Sequence, residues 1–479
     1  MDDYVHDDSN FALQVEQNLD VVFPNDDSST TDNYSTLGGY GYASSSSSSS
    51  IDSHLILPER SQSSRLAAVF LLVNAALGAG LLNFPQAFDQ AGGISVALLV
   101  QLVLVCCVCF GLLVLAHSSW HVHAATLQGT MAGTCGKKGS IVCSLLIALY
   151  CFGTCVTFLI IIGDQFDRVL KSLVGPNFCY SWYMNRQFTI SASALVFILP
   201  MCYSRTIDFL KYASSLGVLA VVYVVGLVVA QHYTGDFVPG PIKTSPDHWT
   251  DVFYVVPVIC FGYQCHVSVV PIYSCMDDRR MGSFTVVIVA TLALCSSAYT
   301  LTGTYGYLTF GSDVSSDILE DYSGASMAVL VGIVAIAVKT VTTYPILLFC
   351  GREALTSVWC QFVGDFEPSY PPTERLRRVV ISTLWFATTI VLAVISPGIG
   401  IVIDALGSLA AVFIFILPGL CLLQTCLQRD PCLMVNRMRW YVGIAVMFAA
   451  VGAFIMGVVL VQTVERVLTT PATPSYLCT

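Results

Sequence analysis

The chain has 479 residues, 55% of them hydrophobic and 11% charged, with a mean hydropathy of +0.73 and a formal net charge of −10. That balance excludes a water-soluble globular protein. The apolar runs are continuous rather than alternating, which excludes a membrane β-barrel.

Residues 1–64 hold eleven acids and one base, Arg60, whereas the remaining chain carries 20 acids and 20 bases. The imbalance therefore lies wholly in this segment, which is also rich in serine (Ser45–Ser50) and lacks helical periodicity. It reads as a disordered acidic tail without a signal-peptide core, so the first span is expected to remain uncleaved. Eleven apolar spans follow: 65–86, 94–117, 141–164, 188–203, 209–233, 250–275, 284–308, 325–350, 378–395, 399–424 and 440–463. With the tail in the cytoplasm, fifteen Lys and Arg fall on its side and five on the other, so the N-terminus is expected to be cytoplasmic. The expected domains are the tail (1–64), a membrane domain (65–465) and a short lumenal C-terminal tail (466–479). Most of the 19 cysteines fall inside spans, where they behave as small apolar residues. Cys179 and Cys478 are the pair clearly placed on the non-cytoplasmic side.

Span 1 is long enough to cross a bilayer but contains Asn74 and Gly78-Ala79-Gly80 near its middle, with Pro85 closing it. Glycine costs about 1 kcal/mol in a helix interior. An unwound backbone at membrane depth is tolerated only where it is buried in protein or lines a cavity. Two readings stand: a binding site built on a discontinuous helix, or a close helix–helix contact made by small residues. Span 6 carries a second interruption. Pro257 and Pro271 flank Phe261-Gly262-Tyr263-Gln264-Cys265-His266. Breaks five spans apart pair spans 1–5 with spans 6–10, the spacing of an inverted-repeat secondary transporter, with span 11 added.

Segments 74–93, 159–169, 260–276 and 344–353, which include both breaks, resemble the sodium-coupled neutral amino acid transporters of solute carrier family 38. The likeness covers spans 1–11. It implies an all-α polytopic protein of eleven transmembrane helices, with the five-plus-five inverted-repeat fold of amino acid/sodium symporters and broken helices 1 and 6. It further implies secondary active transport of neutral amino acids, glutamine and asparagine favoured, coupled to sodium or protons, by alternating access about a midplane site. In that fold the free amides of Gly78, Ala79 and Gly80 and the following half-helix would take the substrate carboxylate. The carbonyls of Phe261 and Gly262 would take its ammonium group. Gln264, with His266 and small residues such as Gly153, Thr154, Gly407 and Ser408, would face the side chain. The resemblance also implies that Asn74 and Leu77 offer sodium ligands from span 1, and Thr343, or Thr342, a hydroxyl from span 8. Threonines in membrane helices also bond back to the preceding turn.

Lys339 lies near the middle of span 8, one turn from Thr343. A buried lysine is costly unless matched. Either its ammonium group occupies or neighbours the cation site, or it pairs with an internal acid such as Asp404 or Asp164 or faces water. Tyr34-Ser35-Thr36-Leu37 and the stretch 52–57 resemble endolysosomal sorting signals. With the likeness to a lysosomal branch of the family, they predict a lysosomal or late endosomal membrane, plasma membrane second, and cytosolic sorting adaptors on the tail. No organic cofactor, nucleic-acid partner or enzymatic activity is expected. The rival reading is an amino acid sensing receptor or scaffold whose tail recruits cytosolic signalling partners.

Overall fold

The computed structural model describes residues 63–175, 182–184, 186–203, 211–322, 326–363, 371–396, 398–428 and 435–469. The acidic tail with its sorting-like motifs, and both Cys179 and Cys478, lie outside the described residues. Every cysteine among the described residues is a free thiol.

The described residues form an almost entirely helical bundle. The first span begins at α1 (Arg65–Ala76), whose N-cap Ser64 accepts a hydrogen bond from the amide of Ala67. The helix stops because Leu77 and Gly78 adopt extended backbone. A 3-10 turn (Ala79–Asn83) then leads into α2 (Phe84–Gln90), where Pro85 falls in the first turn and gives up no hydrogen bond. The two halves are bent by 53°. Helices α3 (Ile94–His121) and α4 (Leu127–Val174) follow, the latter kinked at Gly136, where φ is +75°.

Next come α5 (Arg186–Ser193), which continues through a π turn to Cys202, and α6 (Lys211–Thr234). Span 6 is divided into α7 (Val255–Gly262) and α8 (His266–Ser274). Helices α9 (Met281–Phe310), the short α10 (Ile318–Asp321), α11 (Met327–Val363) and α12 (Pro371–Ile395) complete the next part. The last are α13 (Ile399–Ala411), joined through a π turn to α14 (Leu417–Leu427), and α15 (Val435–Thr469).

Among the described residues, nine helices are long and apolar enough to cross a membrane, and the bent pair α1/α2 makes a tenth. The expected fourth span corresponds to the short apolar stretch Arg186–Cys202, so the expectation of eleven full-length spans is met only if this shorter segment crosses. The core lies where α4 packs along α11 and where α7 packs against α13, and it holds the divided span 6 at its centre. Most of span 6 is buried, whereas α12 and α15 leave much of their surface outward. Inner and outer helices are thus distinguished by burial, although all are apolar.

Candidate functional site

The two breaks meet. A methyl group placed on Gly80 would come within 3.2 Å of both the Gly262 Cα and the Phe261 ring. One placed on Gly262 would lie 3.0 Å from the Phe84 ring and 3.3 Å from Tyr299. Both glycines are therefore needed for close approach, which is the packing role of small residues in membrane helices. Gly78 differs. A side chain there would meet only its neighbour Ala76, at 3.8 Å. Of the three residues expected to face a carboxylate, Gly78 has open space at its Cα and Gly80 is spoken for by packing.

The break also frees carbonyl oxygens at the end of α1, and two are met by side chains from other helices. The Tyr299 hydroxyl, on α9, lies 2.9 Å from the Ala76 oxygen and 2.7 Å from the Gly262 oxygen. Its ring stacks on Phe84, with centroids 4.3 Å apart, and meets Tyr263 edge-on. Sequence reasoning did not single out Tyr299. The available signal was a tyrosine at mid-span, where a buried hydroxyl requires a partner.

The second donor is Lys339 of α11, whose Nζ donates to the Leu77 carbonyl. Lys339 is 6% exposed. Its stem lies against Gly217 of α6, where the side-chain oxygen of Asn74 also approaches. Asn74, Leu77 and Lys339 are thus brought together as one cluster. The expectation that Lys339 pairs with an internal acid is corrected. Asp164 is bonded to Arg186 at 2.6 Å, and Asp404 to Arg466 at 2.5 Å. Both acids are taken by arginines near helix ends, and the lysine meets a backbone dipole instead. Thr342 and Thr343 bond back along α11, Thr343 to the Lys339 carbonyl at 2.7 Å. Their protons are used locally, while their oxygen lone pairs remain available to a cation.

The side-chain end is less open than expected. Gln264 folds back so that its Oε1 accepts from the His266 amide at 2.7 Å, capping the start of α8. Its Nε2 and the His266 Nε2 are buried without a hydrogen-bond partner among the described residues. Gly153 and Gly407, expected near the side chain of the substrate, are in close packing contact on the side where a Cβ would stand. A side chain on Gly153 would strike Leu406 at 2.5 Å, and one on Gly407 would strike Pro257 at 2.3 Å. These glycines let α13 approach α4 and α7. The hydroxyls of Thr154 and Ser408 bond to carbonyls of their own helices.

Each end of the bundle is tied. At the end where the chain enters, Arg65 meets Asp278 at 2.7 Å, and Ser63 pairs with the backbone beside Met276. Hydrogen bonds from Ser283 and Arg65 hold the Asp278 carboxyl below the usual carboxylate range. At the other end, Arg466 of α15 joins Asp404 of α13 to Gln90 of α2 and lies over the Tyr254 ring. Beside it opens a polar cavity of about 480 Å³, lined by residues including Asp89, Lys243, Asp251 and Glu465.

The segment 311–322 covers the second half of span 1. Asn83 and Gln86 donate to the carbonyls of Ser316 and Val314. Gln165 donates to Asp317 at 2.9 Å, and Arg168 to the Tyr322 carbonyl at 2.7 Å. Burial pushes Asp317 up to about 6 and Glu320 up to about 9, with neighbouring carboxylates adding to the rise.

Two divided helices meeting at their breaks, with freed backbone carbonyls met by donors from neighbouring helices, are the arrangement on which many secondary transporters build their central site. Residues 61–465 match the family described as transmembrane amino acid transporter protein, and the chain belongs to that family. It is 40% identical over 421 residues to sodium-coupled neutral amino acid transporter 7 of Danio rerio, covering 87% of this chain and 90% of that one. The relative of the same name from Homo sapiens is 40% identical over 410 residues, covering 83% and 87%. Solute carrier family 38 member 8 of Homo sapiens is 39% identical over 368 residues, covering 75% and 85%. The resemblance to family 38 carried by segments 74–93, 159–169, 260–276 and 344–353 is therefore correct. Among solved structures, MhsT in complex with L-phenylalanine has a TM-score of 0.52 at 14% identity, over 85% of this chain and 100% of that one. That likeness concerns the fold, which is the symporter-like fold expected.

Proposed function

We propose that this amino acid transporter moves neutral amino acids, glutamine and asparagine favoured, by alternating access around the meeting point of the two breaks. The observation that carries the reading is the cluster at the end of α1, where Leu77, Asn74 and Lys339 converge beside the open face of Gly78. The amides of Gly78, Ala79 and Gly80 take the carboxylate, and the carbonyls of Ala76, Phe261 and Gly262 face the ammonium group. Gln264 retains an unpaired Nε2 as a donor for a side-chain carbonyl. A site that hydrogen-bonds an amide discriminates strongly against analogues lacking it.

Coupling runs through one cation position. Its oxygens come from Asn74, Leu77, Thr342 and Thr343, a hard donor set suited to sodium. The Lys339 ammonium group bonds to Leu77, one of those oxygens. Sodium and that ammonium group therefore compete for the same position, so transport depends on both sodium and pH. The relatives named as sodium-coupled support the sodium part of this reading.

The positive-inside bias and the tail motifs support a lysosomal or late endosomal membrane, with the N-terminus cytoplasmic and open to sorting adaptors. Labelled glutamine flux in proteoliposomes tests the function, with the full chain and with residues 1–62 removed. Flux in both supports transport. Binding without flux in either favours the receptor reading.

A further inference from the structure

The Tyr299 hydroxyl has one proton, yet two carbonyl oxygens lie within 3 Å of it, Ala76 at 2.9 Å and Gly262 at 2.7 Å. They come from the two divided helices, one from the end of α1 and one from the end of α7. Tyr299 is wholly buried, and its ring is held on Phe84 at an interplanar angle of 6°. Phe84 opens the second half of span 1. One side chain thus touches both halves of span 1 and the terminus of the first half of span 6. It fixes the gap between two carbonyls while leaving them short of donors: two oxygens offer four lone pairs against one shared proton.

We propose that Tyr299 is the positioning residue for the ammonium end of the substrate: its hydroxyl sets the spacing of the Ala76 and Gly262 carbonyls so that an α-ammonium group, with three protons, completes them. This rests on the reading of the breaks as an amino acid site. Preorganised acceptors spare the substrate the cost of ordering two chain ends. The effect is common to every α-amino acid, because the ammonium group is common to them. Tyr299 is then a determinant of affinity for the class and not of choice within it.

The experiment is Tyr299→Phe, assayed in proteoliposomes for KM and Vmax with glutamine, asparagine and alanine. Phenylalanine keeps the ring that stacks on Phe84, and thermal unfolding of the purified protein checks that the fold is retained. The expected result is a KM raised about fivefold, the scale of one lost hydrogen bond, by the same factor for all three substrates and with Vmax preserved. A general loosening of the bundle would instead lower Vmax and reorder the substrates. Gln264→Ala is the comparison, whose effect is expected to fall on glutamine and asparagine more than on alanine.

Phe84→Leu gives a second test that leaves the hydroxyl in place. Loss of the stacking that aims the ring is expected to raise KM uniformly, though less. Unchanged KM in both variants, a fall in KM, or a rise that differs between substrates overturns the proposal. No flux in the wild-type control would instead overturn the transport reading, so the two failures are told apart.

Discussion

The side-chain nitrogen of Lys339 donates to the carbonyl oxygen of Leu77, 262 positions earlier in the chain. The bond joins α11 to the point where span 1 stops being helical, with Asn74 beside it. A carbonyl without a partner in a buried site costs about 1–3 kcal/mol, so this contact stabilises the break as well as neutralising part of the lysine's desolvation. It places a side-chain amine, which can gain or lose a proton, beside the oxygens of Leu77 and Asn74.

Removing either further oxygen should weaken that position. Asn74→Ala and Thr343→Ala are expected to lower uptake several-fold and to flatten its dependence on sodium, measured as initial rates against sodium concentration. Sodium dependence identical to wild type in both variants would remove Asn74 and Thr343 from the site.

Gly78 and Gly262, one at each break, should behave differently when given a methyl group. Gly262→Ala forces the new carbon to 3.0 Å from Phe84, and overpacking of this kind costs about 1–3 kcal/mol. Its melting temperature in detergent is expected to fall. Gly78→Ala meets open space and is expected to retain wild-type melting while losing substrate affinity. Equal thermal loss in both would show that Gly78 is also a packing residue.

The segment 311–322 should be sensitive to pH. Asp317 is raised from 3.8 to about 6 and Glu320 from 4.5 to about 9, chiefly by burial. A carboxyl whose pKa is raised on packing favours the packed state below its free value and loses that contribution as pH rises through the packed value. The charged groups facing the two are Asp164, Arg168 and Asp321, together with Arg186 of α5. Protection factors of the amides across 311–322, with the intrinsic acceleration of exchange by hydroxide divided out, are expected to be higher at pH 4 than at pH 8. Asp317→Asn should remove the part of this difference that falls between about pH 4 and 6.

Much of the site was legible because glycine and proline interrupt apolar runs for few reasons. The breaks at Gly78–Gly80 and around Gly262 stood out on that ground, and their spacing by five spans related them. What each glycine does was not legible. Gly80, Gly153, Gly262 and Gly407 are held by packing partners far away in sequence, and nothing in a local pattern separates them from Gly78. Lys339 was conspicuous in an apolar span, but its partner is a backbone carbonyl, and every residue has one. Pairing it with Asp164 or Asp404 failed because Arg186 and Arg466 reach those acids from helix ends. Tyr299 carried no pattern, being one tyrosine among many apolar neighbours.

The central claim is that one cation position serves both sodium and the Lys339 ammonium group. It is tested most directly by glutamine flux into proteoliposomes with sodium and pH varied independently, for the wild-type chain and for Lys339→Met. The wild type is expected to respond to both variables. The variant is expected to lose its pH response and to depend more steeply on sodium, which alone can then occupy the Leu77 carbonyl. Sodium and pH profiles in Lys339→Met that superimpose on those of the wild type would contradict the account.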